Sequence, residues 1–241
     1  MSKFLIVSKI GTVKLRSRSQ IMLLKGNQRT KLDDTDDTLF YASPRFVTHV
    51  DEGFIQQLTD LYRERLKPNT RIFDMMSSWV SHLPEEMEFA QVEGHGLNQQ
   101  ELAKNPRFNH YFVQNLNANP KLPLPDAEFD AVVNCVSVQY LQYPDAIFAE
   151  IHRILKPGGV AIFSFSNRMF YQKAIAAWRE GAEGDRVELV KRYFDSVKGA
   201  NIPGFSKPEV IAKQSSLPSF MQMLGMGGGD PFYAVIAYRQ S

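Results

Sequence analysis

The stretch from Phe129 to Phe165 limits the fold more than any other. Phe129 to Val138 is β-branched and apolar on both faces, so it needs hydrogen-bonding neighbours at its sides and apolar cover above and below. Pro144-Asp145 then opens a helix in which Ile147, Ile151, Ile154 and Leu155 share one face. Lys156-Pro-Gly-Gly159 turns the chain into a second apolar run, Val160 to Phe165. Strand, helix, turn, strand is a βαβ unit, and its two strands run parallel inside a sheet.

The rest of the chain extends that unit. Val47, Val50, Phe54, Leu58 and Leu61 recur at spacings of three and four, which predicts a helix of about five turns ending at Leu66 before Pro68-Asn69. Arg71 to Met75 reads as a short buried strand, Glu88 to Gly94 as a second and His110 to Val113 as a third. Asn98-Gln-Gln-Glu101 carries the capping-box signature of a short helix. Asn167 to about Phe194 reads as helical with weak points at Gly181 and Gly184, and Phe232 to Tyr238 as a last strand. Strands alternating with helices predict an α/β fold, a doubly wound and mostly parallel sheet with helices on both faces. No internal repeat is present.

With 241 residues, 44% of them hydrophobic, the chain is long enough for one large α/β domain. Its net charge of +2 conceals an asymmetry. Residues 1–32 hold eight Lys or Arg and no Asp or Glu, leaving residues 33–241 with a net charge of −6. A nucleic-acid partner is therefore not expected for the folded body. Residues 1–32 are expected to be a tail, for which three readings stay open: disordered and solvated, a targeting presequence that would make the protein organellar, or translation begun upstream of a start at Met22. The folded domain is expected to span 33–241. The one cysteine, Cys135, allows no intramolecular disulfide or Cys-based zinc site, and a reducing, cytoplasmic setting is the simpler expectation. No apolar run reaches the ~18 residues of a spanning helix, so no membrane association is expected. The oligomeric state is not legible.

Phe129-Asp-Ala-Val-Val133, Glu150-Ile-His-Arg153-Ile-Leu-Lys-Pro-Gly-Gly159 and the earlier Leu122-Pro-Leu-Pro-Asp-Ala-Glu-Phe-Asp130 together resemble the class I S-adenosylmethionine-dependent methyltransferases, in their small-molecule type 11 branch. The resemblance covers roughly Leu66 to Phe165, and the C-terminal strand loosely. It implies a seven-stranded Rossmann-like sheet whose last strand is antiparallel, with S-adenosylmethionine over the C-terminal ends of the first strands. The general rule for open α/β sheets puts a ligand in the same place.

Carried over residue by residue, the resemblance puts Asp74 at the acidic end of strand one, receiving the cofactor's amino-acid moiety. Met75, Met76, Ser77 and Ser78 occupy the loop that normally reads Gly-x-Gly-x-Gly, and here hold none of its glycines. Gly96 stands where an acidic residue usually grips the ribose, with Glu93 and Asn98 near enough to substitute. Asn115 and Leu116 take the adenine edge, and Asn134 to Val136 the place where methyl donor and acceptor meet. Ser77 and Ser78 hydroxyls are expected to donate to the cofactor if the site is intact.

Other residues divide between chemistry and packing. Tyr41, Arg45 and His49 stand at the entry to the first helix, either covering the site or forming an aromatic staple. Trp79 either lids a pocket or packs. His95, beside Gly94 and Gly96, reads as tolerated in a glycine-flanked turn. Gln139, Tyr140 and Tyr143 lie on the substrate side of strand four, and Met221, Met223 and Met226 read as flexible core filling. No Ser-His-Asp order, Walker-type loop or metal-ligand spacing is present. Methyl transfer needs alignment and exclusion of water, and for an oxygen or nitrogen acceptor a base, for which His49, His82 and Tyr140 are the candidates.

The first functional expectation is S-adenosylmethionine-dependent methyl transfer to a small molecule. The alternative is a catalytically inactive methyltransferase-like binding or regulatory protein. A nicotinamide-dependent oxidoreductase is disfavoured, since neither a Gly-x-Gly-x-x-Gly turn nor a ribose acid follows strand one.

Overall fold

The structure, a computed structural model, describes residues 23–199, 202–213 and 229–241. Seven strands form one sheet: β1 (Arg71–Asp74), β2 (Gln91–Gly96), β3 (His110–Val113), β4 (Phe129–Cys135), β5 (Leu155–Phe165), β6 (Glu209–Lys213) and β7 (Phe232–Tyr238). Their order is β3-β2-β1-β4-β5-β7-β6, with β1 to β5 parallel and β7 antiparallel to both of its neighbours. This is the doubly wound, mostly parallel sheet that the alternating pattern predicts, with the seven strands and antiparallel last strand that the family resemblance implies.

Strand alternation sorts the core into two layers. Phe73, Val132, Ala161 and Phe163 face one side, where they meet α4 (Pro144–Ile154) and α6 (Glu183–Asp195). Ile72, Ala131, Val133 and Ile162 face the other, covered by Phe54, Leu58 and Tyr62 of α2 (Glu52–Arg65). The short helices α1 (Asp37–Phe40), α3 (Gln99–Lys104) and α5 (Ala176–Arg179) complete the set.

The motif behind the family resemblance is a fastener. Arg153 donates to the Leu122 and Leu124 carbonyls and to Glu150 and Asp126, while Glu150 accepts from the Leu122 amide. It thereby ties α4 to the loop entering β4. Gly158, at φ 79°, supplies the left-handed residue of the turn.

Several boundaries differ from expectation. Helix α2 starts at Glu52, because the Asp51 side chain caps it through the Phe54 amide, which leaves Val47 and Val50 ahead of the helix. The span 167–194 is not one helix; it holds only α5 and α6, parted near Gly181. Strand β6 was not expected, and its exposed face gives it no alternating apolar signal. The crossover 75–90 from β1 to β2, where parallel strands usually carry a helix, runs as an extended loop that buries Leu83 beside α2.

The expected boundary at residue 33 lies inside the folded region. Leu24 is 1% exposed within the core, the Ala176 amide donates to the Thr30 carbonyl, and Lys31 forms a buried ion pair with Asp37 at 2.6 Å. Residues 1–22 lie outside the described residues, as do Met221, Met223 and Met226.

Candidate functional site

A cavity of about 350 Å³ opens over the C-terminal ends of β1, β2, β3 and β4. That size is at the lower end of small-molecule pockets. Asp74, Gly96, Gln114 and Cys135 mark the four strand ends on its floor, Tyr41 and residues 47–50 form its cover, and Met169 and Phe170 close one wall. Trp79 fastens crossover to cover, donating from Nε1 to the Val47 carbonyl at 3.2 Å with its ring edge-on to Phe46.

The floor begins with Asp74, which is 3% exposed. Its Oδ2 accepts from Ser77 Oγ at 2.8 Å, and Ser81 is a second hydroxyl partner. Burial outweighs these bonds and pushes the carboxyl up to about 7. A buried carboxylate whose partners are hydroxyls fits a ligand group carrying positive charge, since such a group would offset the lost hydration.

The glycine-free loop is pinned through its backbone amides to β4 and β2. The Met75 amide donates to the Val133 carbonyl, the Met76 amide to His95 Nδ1 and the Ser77 amide to the His95 carbonyl. Met76 sits at φ 55°, the left-handed region that a glycine would enter without strain. His82 and Val136, at φ 53° and 42°, also line the cavity, so three of the five positive-φ non-glycine residues among those described border it. Such strain concentrates at functional sites.

The expected cofactor residues divide into two sets. Asp74, Met76, Ser77, Ser78, Gly96, Asn98, Asn115 and Leu116 line the cavity, whereas Met75 and Asn134 lie beneath it, joined by an Asn134 Nδ2 to Met75 carbonyl bond. The serine hydroxyls do not point as donors to a cofactor. Ser77 is spent on Asp74, and Ser78 Oγ donates to Glu101 Oε2 at 2.6 Å. Asn98 caps α3 with its oxygen and holds the Tyr41 and Ala42 carbonyls with its nitrogen, so its side chain is committed to the cover. Glu93 faces away, bonded to His110 at 2.5 Å over a different groove.

Glu101 is the acidic side chain that the sequence reading missed. The capping box predicts that it returns to the cap backbone; instead Oε1 accepts from the Arg45 amide at 2.6 Å and Oε2 from Ser78, at the cavity wall. No sequence-local signal reveals this, because Arg45 and Ser78 are distant in the chain. His95 was also misread. It is a buried strand residue, held neutral by burial that lowers its pKa to about 4.

Of the three candidate bases, all line the cavity. Tyr140 is engaged, its hydroxyl accepting from the Phe170 amide at 2.9 Å, and burial pushes its pKa up to about 12. Burial lowers the pKa values of His49 and His82, so both imidazoles are neutral near pH 7. His49 packs edge-on against Phe170 at 5.3 Å, on the side of Tyr140 and the segment after β4. His82 lies on the crossover, its carbonyl bonded to Thr59 of α2. Gln139 and Tyr143 are outside the lining.

Residues 81–163 match the family model described as methyltransferase domain. The match begins beyond the glycine-free loop. The sterol 24-C-methyltransferase of Schizosaccharomyces pombe is 28% identical over 160 residues, which is 60% of this chain and 42% of that protein. Among solved structures, a chain in the complex of the Haloferax volcanii Trm112 methyltransferase activator with a methyltransferase superposes with a TM-score of 0.54, covering 79% of this chain and 91% of that one at 13% identity. Phosphoethanolamine N-methyltransferase 2 of Haemonchus contortus, in complex with S-adenosyl-L-methionine, gives 0.50 over 77% and 52% at 16% identity. The chain spans less than half the length of the curated relatives it matches.

Proposed function

We propose that this chain, whose fold is that of the class I S-adenosylmethionine-dependent methyltransferases, binds S-adenosylmethionine in the cavity above β1 to β4 and transfers its methyl group to a small, largely apolar acceptor. The observation that carries the reading is Asp74, a buried carboxylate at the end of β1 whose hydroxyl partners leave its charge uncompensated. When bound, the cofactor supplies an electrophilic methyl on a sulfonium centre. Asp74 holds the positively charged part of the ligand, Glu101 offers a second carboxylate on the wall, and the segment from Tyr41 to Val50 excludes water. The neutral imidazole of His49 takes the acceptor's proton through a ring nitrogen. The aromatic wall of Tyr41, Tyr140 and Phe170 supports an apolar acceptor, as does the likeness to a sterol methyltransferase.

The test is calorimetric titration of wild type and Asp74→Asn with S-adenosylmethionine and S-adenosylhomocysteine. Wild type binds both, and the substitution weakens S-adenosylmethionine at least about tenfold, or ~1.4 kcal/mol. Absence of binding to wild type at millimolar ligand overturns the reading. A second reading, a binding protein without catalysis, is favoured by the Met76 and Ser77 amides, which His95 has taken from any ligand. Cofactor binding without methyl transfer to any member of a hydroxyl, amine and carbon acceptor panel would support it.

A further inference from the structure

We propose that His95 is the positioning residue of this site: one neutral imidazole clamps the glycine-free loop after β1 to the loop after β3, doing by side-chain bonding what a glycine-rich loop does by backbone freedom. The inference rests on the cofactor reading above and assigns the residue that shapes that site.

The geometry is specific. His95 Nδ1 accepts from the Met76 amide at 3.1 Å, and Nε2 lies 2.9 Å from the Gln114 carbonyl. An amide can only donate and a carbonyl only accept, so Nδ1 is bare and Nε2 carries the proton. The His95 carbonyl accepts from the Ser77 amide at 2.6 Å, so two successive amides of the loop end on one residue. Phe112, at 5.0 Å, and Phe73, at 6.1 Å, flank the ring. A Cβ on the next residue, Gly96, would stand 2.5 Å from the Ser77 carbonyl oxygen, so the loop lies directly on the end of β2.

These contacts reach the two ends of the cavity. Holding Met76 at positive φ strains the backbone, and the imidazole bond offsets that strain. Ser77, the next residue, carries the hydroxyl that orients Asp74. On the other side, Gln114 precedes Asn115 and Leu116 in the cavity wall. His95 therefore sets the distance between the carboxylate that takes the cationic end of a ligand and the wall opposite it.

Three substitutions separate its functions. His95→Asn keeps an acceptor at the place of Nδ1, His95→Gln keeps a donor near Nε2, and His95→Phe keeps only the ring packing. Affinity for S-adenosylhomocysteine is measured by calorimetry below the thermal midpoint of every variant. His95→Asn and His95→Gln, each keeping one arm of the clamp, are expected to bind more weakly than wild type, and His95→Phe, which keeps neither arm, at least tenfold more weakly. Wild-type affinity in His95→Phe overturns the proposal, as does wild-type affinity in both single-arm variants. Imidazole ¹⁵N spectra of the ligand-free wild type give a readout independent of binding: a bare Nδ1 and protonated Nε2 support the clamp, and the opposite tautomer overturns it. If wild type binds no S-adenosylhomocysteine, the cofactor reading fails and the positioning role falls with it, while the spectra still report whether the clamp exists.

Discussion

Asp74 ties stability and binding to a single proton. Its carboxyl is raised to about 7, so between the ordinary carboxylate range and pH 7 the folded chain holds a proton that the unfolded chain has released. Stability without ligand therefore falls as pH rises through that window, by up to about 4 kcal/mol. Asp74→Asn, which cannot ionise, is expected to abolish most of that slope and to unfold at higher temperature than wild type at pH 8, while losing cofactor affinity. Thermal scans from pH 4 to 8 check the first part. The same linkage makes wild-type affinity for a cationic ligand rise from pH 6 to 8, with proton release measurable by calorimetry in buffers of different ionisation enthalpy. His49 makes a separate claim. If its imidazole takes the acceptor proton, His49→Gln lowers kcat by about 10²-fold or more and leaves cofactor affinity within about threefold. Equal kcat in the variant assigns the proton elsewhere.

At the scale of elements, the crossover and the cover decide the site. Gly96→Ala forces the Ser77 carbonyl away from the end of β2, with an expected cost of roughly 1–3 kcal/mol and at least tenfold weaker binding of S-adenosylhomocysteine. Gly94→Ala is the control, because its Cβ would meet the Phe108 ring at 2.4 Å and leave the loop untouched. It is expected to lower stability with little change in affinity. The segment that leads into the cover is anchored by Lys173, a fully buried side chain that lies 3.1 Å from Asp33 and 3.5 Å from Asp37 and donates to the Thr35 carbonyl at 2.8 Å. Lys173→Met removes the cation and leaves both carboxylates less compensated. A loss of about 3 kcal/mol in denaturant unfolding is expected.

For the whole molecule, the point at which folding begins along the chain is a measurable boundary. A chain starting at Lys31 lacks Leu24 and the Thr30 carbonyl that accepts from Ala176, and is expected to be less stable than one starting at Leu23. Leu24→Ala alone should cost about 2–5 kcal/mol, read from urea midpoints. That segment was illegible because composition dominates it. Eight basic residues without an acid read as a tail, and only contacts made in the folded chain, six residues on at Asp37 for Lys31 and far along it at Ala176 for Thr30, turn its end into structure.

Most of the fold could be read from the amino-acid sequence. The period of apolar residues determined β4, α4 and β5, and the Glu150-Arg153 pair and the turn glycine are local chemistry that leaves a local signature, although Arg153 also reaches the distant Leu122 and Leu124 carbonyls. Asp74 could likewise be placed, because it ends a strand at the edge where open α/β sheets bind ligands. Tertiary structure alone decided what surrounds it. Glu101 has the spacing of a capping residue yet bonds to Arg45 and Ser78, and His95 sits in a glycine-flanked strand yet joins two loops. The physical reason is the same in both cases. Periodicity and capping report what a residue does within about four positions of itself, whereas a buried polar side chain takes whichever partner the folded sheet brings within 3 Å.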